Sequence, residues 1–163
     1  MMIRKAALSD LPRLTAIYNE EVLHGVATFD LHPKTEAERR TWLEQHNVDN
    51  HPLLVAEVDG QAAGYASLSP YREKEAYSAT VELSIYIDPA YRLQGVATAL
   101  MAALLEAARA DARTHTVVSV ITSGNEASVR LHQRFGFTYC GTLHQVGMKF
   151  GRYLDIDNYE LTV

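Results

Sequence analysis

Cysteine is almost missing from these 163 residues, Cys140 being the only one, so the chain closes no internal disulfide and cannot build a multi-cysteine zinc site. Long apolar runs are missing as well. Hydrophobic residues make up 47% of the chain, but Asp, Glu, Lys and Arg interrupt them far short of the roughly 20 apolar residues that cross a bilayer. The opening MMIRKAALSD carries no extended apolar core and no small-residue cleavage site, which leads us to expect a cytoplasmic protein. An excess of basic charge is lacking too. The formal net charge is −5, whereas phosphate backbones are bound by clustered Lys and Arg, so nucleic acid is not an expected partner. None of the seven histidines stands in an H-E-x-x-H spacing, and no metal is expected. With no repeat, low-complexity tract or linker, one domain over residues 1–163 is expected, long enough to bury about two thirds of its unfolded surface.

What is there alternates. IRKAAL, residues 3–8, reads as a first strand, and Ser9 as the N-cap of a helix bearing Leu11, Leu14, Ile17, Tyr18 and Val22 at helical spacing. Thr35 and Glu38 make a capping box before a second helix that should bury Trp42 and Leu43. PLLVAEV and AAGYASL flank Asp59-Gly60, a strong signal for a tight antiparallel hairpin. Thr80 to Asp88 alternates, with Val81, Leu83, Ile85 and Ile87 on one face and Thr80, Glu82, Ser84 and Tyr86 on the other. A helix with an apolar stripe of Ala97, Leu100, Met101, Leu104 and Ala108 follows. TVVSVIT reads as a buried central strand, residues 125–135 as a short helix with Gly136 capping it, and FTYCGTL and NYELTV as closing strands. Within FTYCGTL, Cys140 is expected to be a buried packing residue rather than a nucleophile. The fold class is mixed α/β.

The stretch YRLQGVATALMAAL, residues 91–104, sets Gly95 directly before the apolar helix. Backbone N–H groups at a helix N-terminus lack intrahelical partners and suit an anion. Gly95 has no Cβ to block a ligand's approach, small Ala97 lets the helix begin close by, and Arg92 and Gln94 add side-chain donors. Neither a Walker loop nor a complete dinucleotide fingerprint is present. An ordinary strand-to-helix turn has the same local composition.

Arg92-x-x-Gly95-x-Ala97 resembles the pyrophosphate loop of the GNAT acyltransferase superfamily, and the order of elements resembles that fold along essentially the whole chain. The segments GYASLSPYREKEAYSATVELSIYI, NEASVRLHQRFGF and VGMKFGRYLD are similar to the phosphinothricin and methionine sulfoximine N-acetyltransferase group. The resemblance implies a central, mainly antiparallel sheet with a splayed strand pair. It also implies acetyl-CoA as cosubstrate, its diphosphate held by Arg92, Leu93, Gln94, Gly95, Val96, Ala97 and Thr98. The pantetheine arm would pair with Ser84, Ile85, Tyr86 and Ile87 as an added strand, near Asn125 and Ser128. A homodimer is implied, with the tail around Val146, Lys149 and Phe150 reaching the active site of a partner subunit.

Acetyl transfer by direct attack in a ternary complex needs a neutral amine, so a carboxylate must take up its proton. Glu82 is the candidate general base. Backbone N–H groups near Ile85 would polarise the thioester carbonyl. His132 stands where many family members have a tyrosine that protonates the departing thiolate; it is a candidate donor, or a bystander on its helix. Arg72 and Lys74 suit a carboxylate together with a phosphinate, sulfoximine or sulfone, or else belong to a solvated loop. Phe29, Tyr77 and Thr80 are candidate walls of the acceptor pocket. The expected activity is N-acetylation of a small amino-acid-like substrate. Acetylation of another amine or a protein N-terminus, or non-catalytic acyl-CoA binding, are the alternatives.

Overall fold

A computed structural model describes all 163 residues. Seven strands form one sheet: β1 (Met2–Lys5), β2 (Leu53–Val58), β3 (Gln61–Pro70), β4 (Thr80–Ile87), β5 (Thr116–Thr122), β6 (Thr138–Lys149) and β7 (Arg152–Thr162). Their order across the sheet is β1-β2-β3-β4-β5-β7-β6, antiparallel throughout except between β4 and β5. Four helices cover it: α1 (Leu11–His24), α2 (Glu36–Glu44), α3 (Val96–Ala110) and α4 (Glu126–Arg134).

Period-two alternation sends the strands' apolar residues to both faces of the sheet. Leu54, Ala56, Leu68, Val81 and Leu83 meet Leu100, Met101, Leu104 and Leu105 of α3 in the larger core. Leu53, Val55 and Tyr65 meet Leu14 and Ile17 of α1 in the smaller one. Leu100, Leu104 and Leu105 are fully buried, each worth about 1.5–3 kcal/mol of transfer free energy. The sheet is thus held between α3 on one face and α1 with α2 on the other. Asp59 and Gly60 close the β2–β3 hairpin, both at positive φ.

Local chemistry altered several expectations. Ser9 does not cap α1. A single 3-10 turn over Leu8–Asp10 precedes the helix, and Asp10 is the N-cap residue, its carboxylate bound by Arg4 and by the Ala7 amide, each at 2.8 Å. The Thr35–Glu38 capping box is present. Trp42 and Leu43, however, are half-buried, and the buried residue of α2 is Arg39. Its guanidinium lies 3.6 Å from the Trp42 ring centroid and donates to the Tyr65 hydroxyl at 2.9 Å, which hides the charge among aromatic faces. β6 and β7 run longer than FTYCGTL and NYELTV suggest, absorbing the tail segment into a hairpin. Cys140 is exposed rather than buried. It lies on β6, the sheet's edge strand, whose residues are mostly open to solvent.

Candidate active site

The sheet comes apart at its parallel pair. β4 and β5 are in register at Thr80↔Thr116, Val81↔Val117 and Glu82↔Val118, and nowhere beyond. β4 nevertheless continues to Ile87, paired on its other side with β3, and β5 continues to Thr122, paired with β7. Past Glu82 and Val118, two strand edges face each other across a gap with backbone groups unpaired. Edges of that kind invite an extended ligand to complete them.

The gap joins the two faces of the sheet. Glu82, Ser84 and Tyr86 stand on the α1/α2 face, whereas Ser119 shares its side of β5 with Val117 and Ile121 of the α3 core and meets His132 of α4. All five line one cavity of about 260 Å³, together with Phe29, Ile85, Asn125 and Ser128. Burial raises the Glu82 pKa, and no cation or donor offsets it. A carboxylate so placed holds a proton more readily than an exposed one, as a general base for an amine requires. His132 is 2% exposed. Its Nδ1 lies 2.7 Å from the Ser128 carbonyl oxygen, which can only accept, so Nδ1 carries the hydrogen. Nε2 then accepts from the Ser119 hydroxyl at 2.9 Å. Burial lowers the pKa of His132, and the ring is neutral at neutral pH.

A second cavity of about 650 Å³ continues the first, the two sharing Ala27, Ile85, Tyr86, Asn125 and Ser128. Ile87, Arg92, Leu93, Gly95, Val96, Ala97 and Thr98 line it. Asp88 anchors this loop: one carboxylate oxygen accepts from the Ala90 amide at 2.7 Å, and the other pairs with Arg13. Beyond it, the amides of residues 93–98 find no acceptor in the protein. Leu93 at φ 60° and Gly95 at φ 82° lie in the left-handed region. Such residues set among right-handed ones turn successive N–H groups into one concavity, and the N-terminus of 15-residue α3 adds its partial positive charge. No atom lies within 4 Å of the place a Gly95 Cβ would take, so the backbone is open to a ligand. Gln94 is turned away, its side-chain amide donating to the Ala90 carbonyl at 3.0 Å.

The loop between α1 and α2 roofs the gap. The Thr122 hydroxyl donates to the Val26 carbonyl at 2.6 Å, and the Glu21 carboxylate accepts from the Ala27 amide at 2.9 Å while lying 3.5 Å from Arg92. Arg72, Lys74, Tyr77, Thr80 and Val146 line neither cavity. The first three belong to the β3–β4 connection at the Glu82 end of β4, where Arg72 lies 4.9 Å from the Tyr71 ring and 5.6 Å from the Tyr77 ring. Val146 is half exposed on β6. Lys149 is 3% exposed and points into its own chain.

Residues missed in the sequence include Ser119, Thr28, Glu21, Arg130 and Arg134. Ser119 sits in a β-branched run that reads as core. Arg130 and Arg134 had a usable signal: with Ala127 and Leu131 they form an i, i+3, i+4, i+7 face of α4, and that face lines the larger cavity.

Residues 12–137 match the family described as Acetyltransferase (GNAT) family. A phosphinothricin N-acetyltransferase of Streptomyces coelicolor is 41% identical over 163 residues, 98% of this chain and 95% of that protein. Among solved structures, a ribosomal-protein-alanine N-acetyltransferase from Brucella melitensis superposes with a TM-score of 0.96 at 42% identity, covering 100% of both chains. An acetyltransferase of Salmonella typhimurium, YncA, solved with its cofactor acetyl-CoA, does so with 0.95 at 38% identity, covering 99% of this chain and 93% of that one. No helix is long and apolar enough to cross a membrane. With the forked strands, the free amides of the loop before α3 and a family match over most of its length, the chain belongs to the GNAT family of acetyl-CoA-dependent N-acetyltransferases.

Proposed function

We propose that the enzyme acetylates the α-amine of a small amino-acid-like acceptor of the phosphinothricin, methionine sulfoximine or methionine sulfone type, with residues 1–163 acting as one catalytic domain. The observation that carries this reading is the continuity of the two cavities around the fork, with Glu82 at its closed end. The diphosphate of acetyl-CoA would rest on the amides of residues 93–98, with Arg92, Arg130 and Arg134 as nearby cations. The pantetheine arm would then run along the unpaired edge of Ser84 to Ile87, past Asn125 and Ser128, and bring the thioester to the smaller cavity.

In that cavity the acceptor ammonium gives its proton to Glu82, and the free amine attacks the thioester carbonyl. An N–H of the forked strand near Ile85 stabilises the oxyanion. Collapse expels the thiolate. His132, neutral beforehand, relays the proton: its Nε2 takes up, through the Ser119 hydroxyl, the proton that the nitrogen loses on becoming an amide, and returns it through Ser119 to sulfur. The lowered pKa of His132 makes that proton easy to release. Arg72 and Lys74 would hold the acceptor's anionic groups from the rim.

A homodimer is part of the proposal. Tyr139, Leu143, Val146, Met148, Phe150 and Tyr153 of the β6–β7 hairpin are all exposed, and apolar residues gathered on one exposed element suit contact with another subunit. A cytoplasmic location agrees with the supply of acetyl-CoA. The likeness to the Brucella enzyme favours one rival acceptor, the N-terminal amine of a protein.

Release of free thiol from acetyl-CoA decides between them. The purified enzyme is offered phosphinothricin, methionine sulfoximine, methionine sulfone, a polyamine and a peptide with N-terminal alanine. Turnover of the first three alone is expected. Turnover confined to the peptide overturns the proposal.

A further inference from the structure

We propose that Gly147 and Lys149 of β6, neither of which lines a cavity, set the width of the acceptor pocket by seating Phe29. The proposal rests on the smaller cavity being the acceptor site. Phe29 is half-buried: its ring lines that cavity and also lies against the backbone of Gly147. A Cβ on residue 147 would lie 2.9 Å from the ring's Cζ and closer still to Cε2 and Cδ2. The φ of Gly147 is not in the left-handed region, so close approach alone is what a side chain would disturb.

The neighbourhood leaves the ring one way to yield. Lys149 stands two residues along β6, on the same side of the strand as Gly147. Its ammonium donates to the Thr28 carbonyl at 2.9 Å and the Glu21 carbonyl at 3.4 Å. An ammonium removed from water is costly unless such acceptors surround it, and here the nearer one directly precedes Phe29 in its loop while the other belongs to the last turn of α1. The Thr28 hydroxyl is also bonded to the Tyr18 hydroxyl at 2.9 Å, and Tyr18 is bonded to Asp30. Backbone on both sides of Phe29 is therefore fixed, β6 closes the back, and the open side is the cavity.

β6 is shaped for this contact. Its pairing with β7 passes from Leu143↔Ile156 to Gly147↔Leu154, so four steps on one strand answer two on the other. Such a bulge bends the strand and re-aims its residues. Gln145 sits within it at φ 54°, its amide held by Asp155 at 2.7 Å. The strand resumes pairing at the residue that receives the ring.

A methyl group at 147 therefore drives Phe29 into the pocket, and acceptors with long side chains lose more than short ones. The test compares the KM of the bulkiest and the smallest amino-acid acceptor the wild type uses. For Gly147→Ala, the KM of the bulky acceptor rises about tenfold, the KM of the small one changes less than about threefold, and acetyl-CoA affinity is unaltered. In a Phe29→Ala background, where there is no ring to displace, adding Gly147→Ala has no effect on either KM. That double variant also keeps the test available if Gly147→Ala alone folds poorly. Lys149→Met, which keeps bulk but frees the Thr28 carbonyl, raises KM for both acceptors and leaves acetyl-CoA binding unchanged. An undiminished Gly147→Ala effect in the Phe29→Ala background, an equal loss for both acceptors in Gly147→Ala itself, or an unchanged KM in Lys149→Met overturns the proposal. If the wild type binds acetyl-CoA but uses no amino acid, the functional reading fails instead. The seat is then tested by NMR, where Gly147→Ala must shift the Phe29 ring resonances and an unchanged ring overturns it.

Discussion

The two ends of the trench are built by opposite means. The end proposed for the coenzyme's diphosphate centres on a single stretch, residues 88–98, in which the available atoms are backbone amides and the side chains chiefly shape the loop. The end proposed for the acceptor gathers single side chains from the α1–α2 loop, β4, β5, α4 and β7 around a gap in the sheet. Amides aimed by backbone conformation are hard to remove by substitution and easy to recognise by spacing. A pocket of assembled side chains is the reverse: one change at its centre removes the chemistry, and no local spacing announces it.

The sharpest way to separate the two ends is Glu82→Gln. It keeps shape and removes the proposed base, so turnover is expected to fall by about two orders of magnitude or more, while acetyl-CoA affinity measured by calorimetry stays within about twofold. Normal turnover in this variant would take Glu82 out of the reaction. Gly95→Val does the opposite. A β-branched residue at φ 82° strains the backbone by about 1–2 kcal/mol. If the loop relaxes to relieve it, acetyl-CoA binding weakens about tenfold and turnover at saturating coenzyme is largely kept. Unchanged affinity would mean the amides of 93–98 do not hold the diphosphate. Arg72→Ala has a smaller effect, because the side chain is exposed and outside both cavities. A rise of about fivefold in acceptor KM is expected, and no change for any anionic acceptor removes Arg72 from substrate binding.

The same contrast governs what could be read from the sequence. The glycine turn, the alternation of β4 and the stripe of α3 are local patterns, and each lies where its spacing put it. The fork is not local: β4 and β5 are 28 residues apart from Ile87 to Thr116, and only a family resemblance located their separation. Ser119 reads as core because it sits among Val117, Val118, Val120 and Ile121, and it becomes visible once the sheet opens beside it. Asp10 rather than Ser9 holds the N-cap position of α1, and it does so without a side-chain bond to that helix, because Arg4 on the preceding strand and the Ala7 amide take its carboxylate. Lys149 resembles a residue that extends to a partner; the β6 bulge instead turns it inward onto the Thr28 carbonyl.

The smallest effect concerns stability, and it follows from the same buried carboxylate. Glu82 in the folded chain holds its proton more tightly than in the unfolded chain, because burial raises its pKa. The folded state thus binds more protons than the unfolded state between the unfolded value, about 4.3, and the higher folded one, and wild-type stability falls as pH rises through that window. Above it the full cost of a buried charge is present; below it both states are protonated and the cost is gone. A glutamine side chain at this position has no charge to bury. Glu82→Gln should therefore melt on the order of 2 °C above wild type at pH 7.5, with the difference closing near pH 4. A difference that stays constant across that range would mean packing, not ionisation, separates the two proteins, and that Glu82 is not strained toward its neutral form while it waits for an amine.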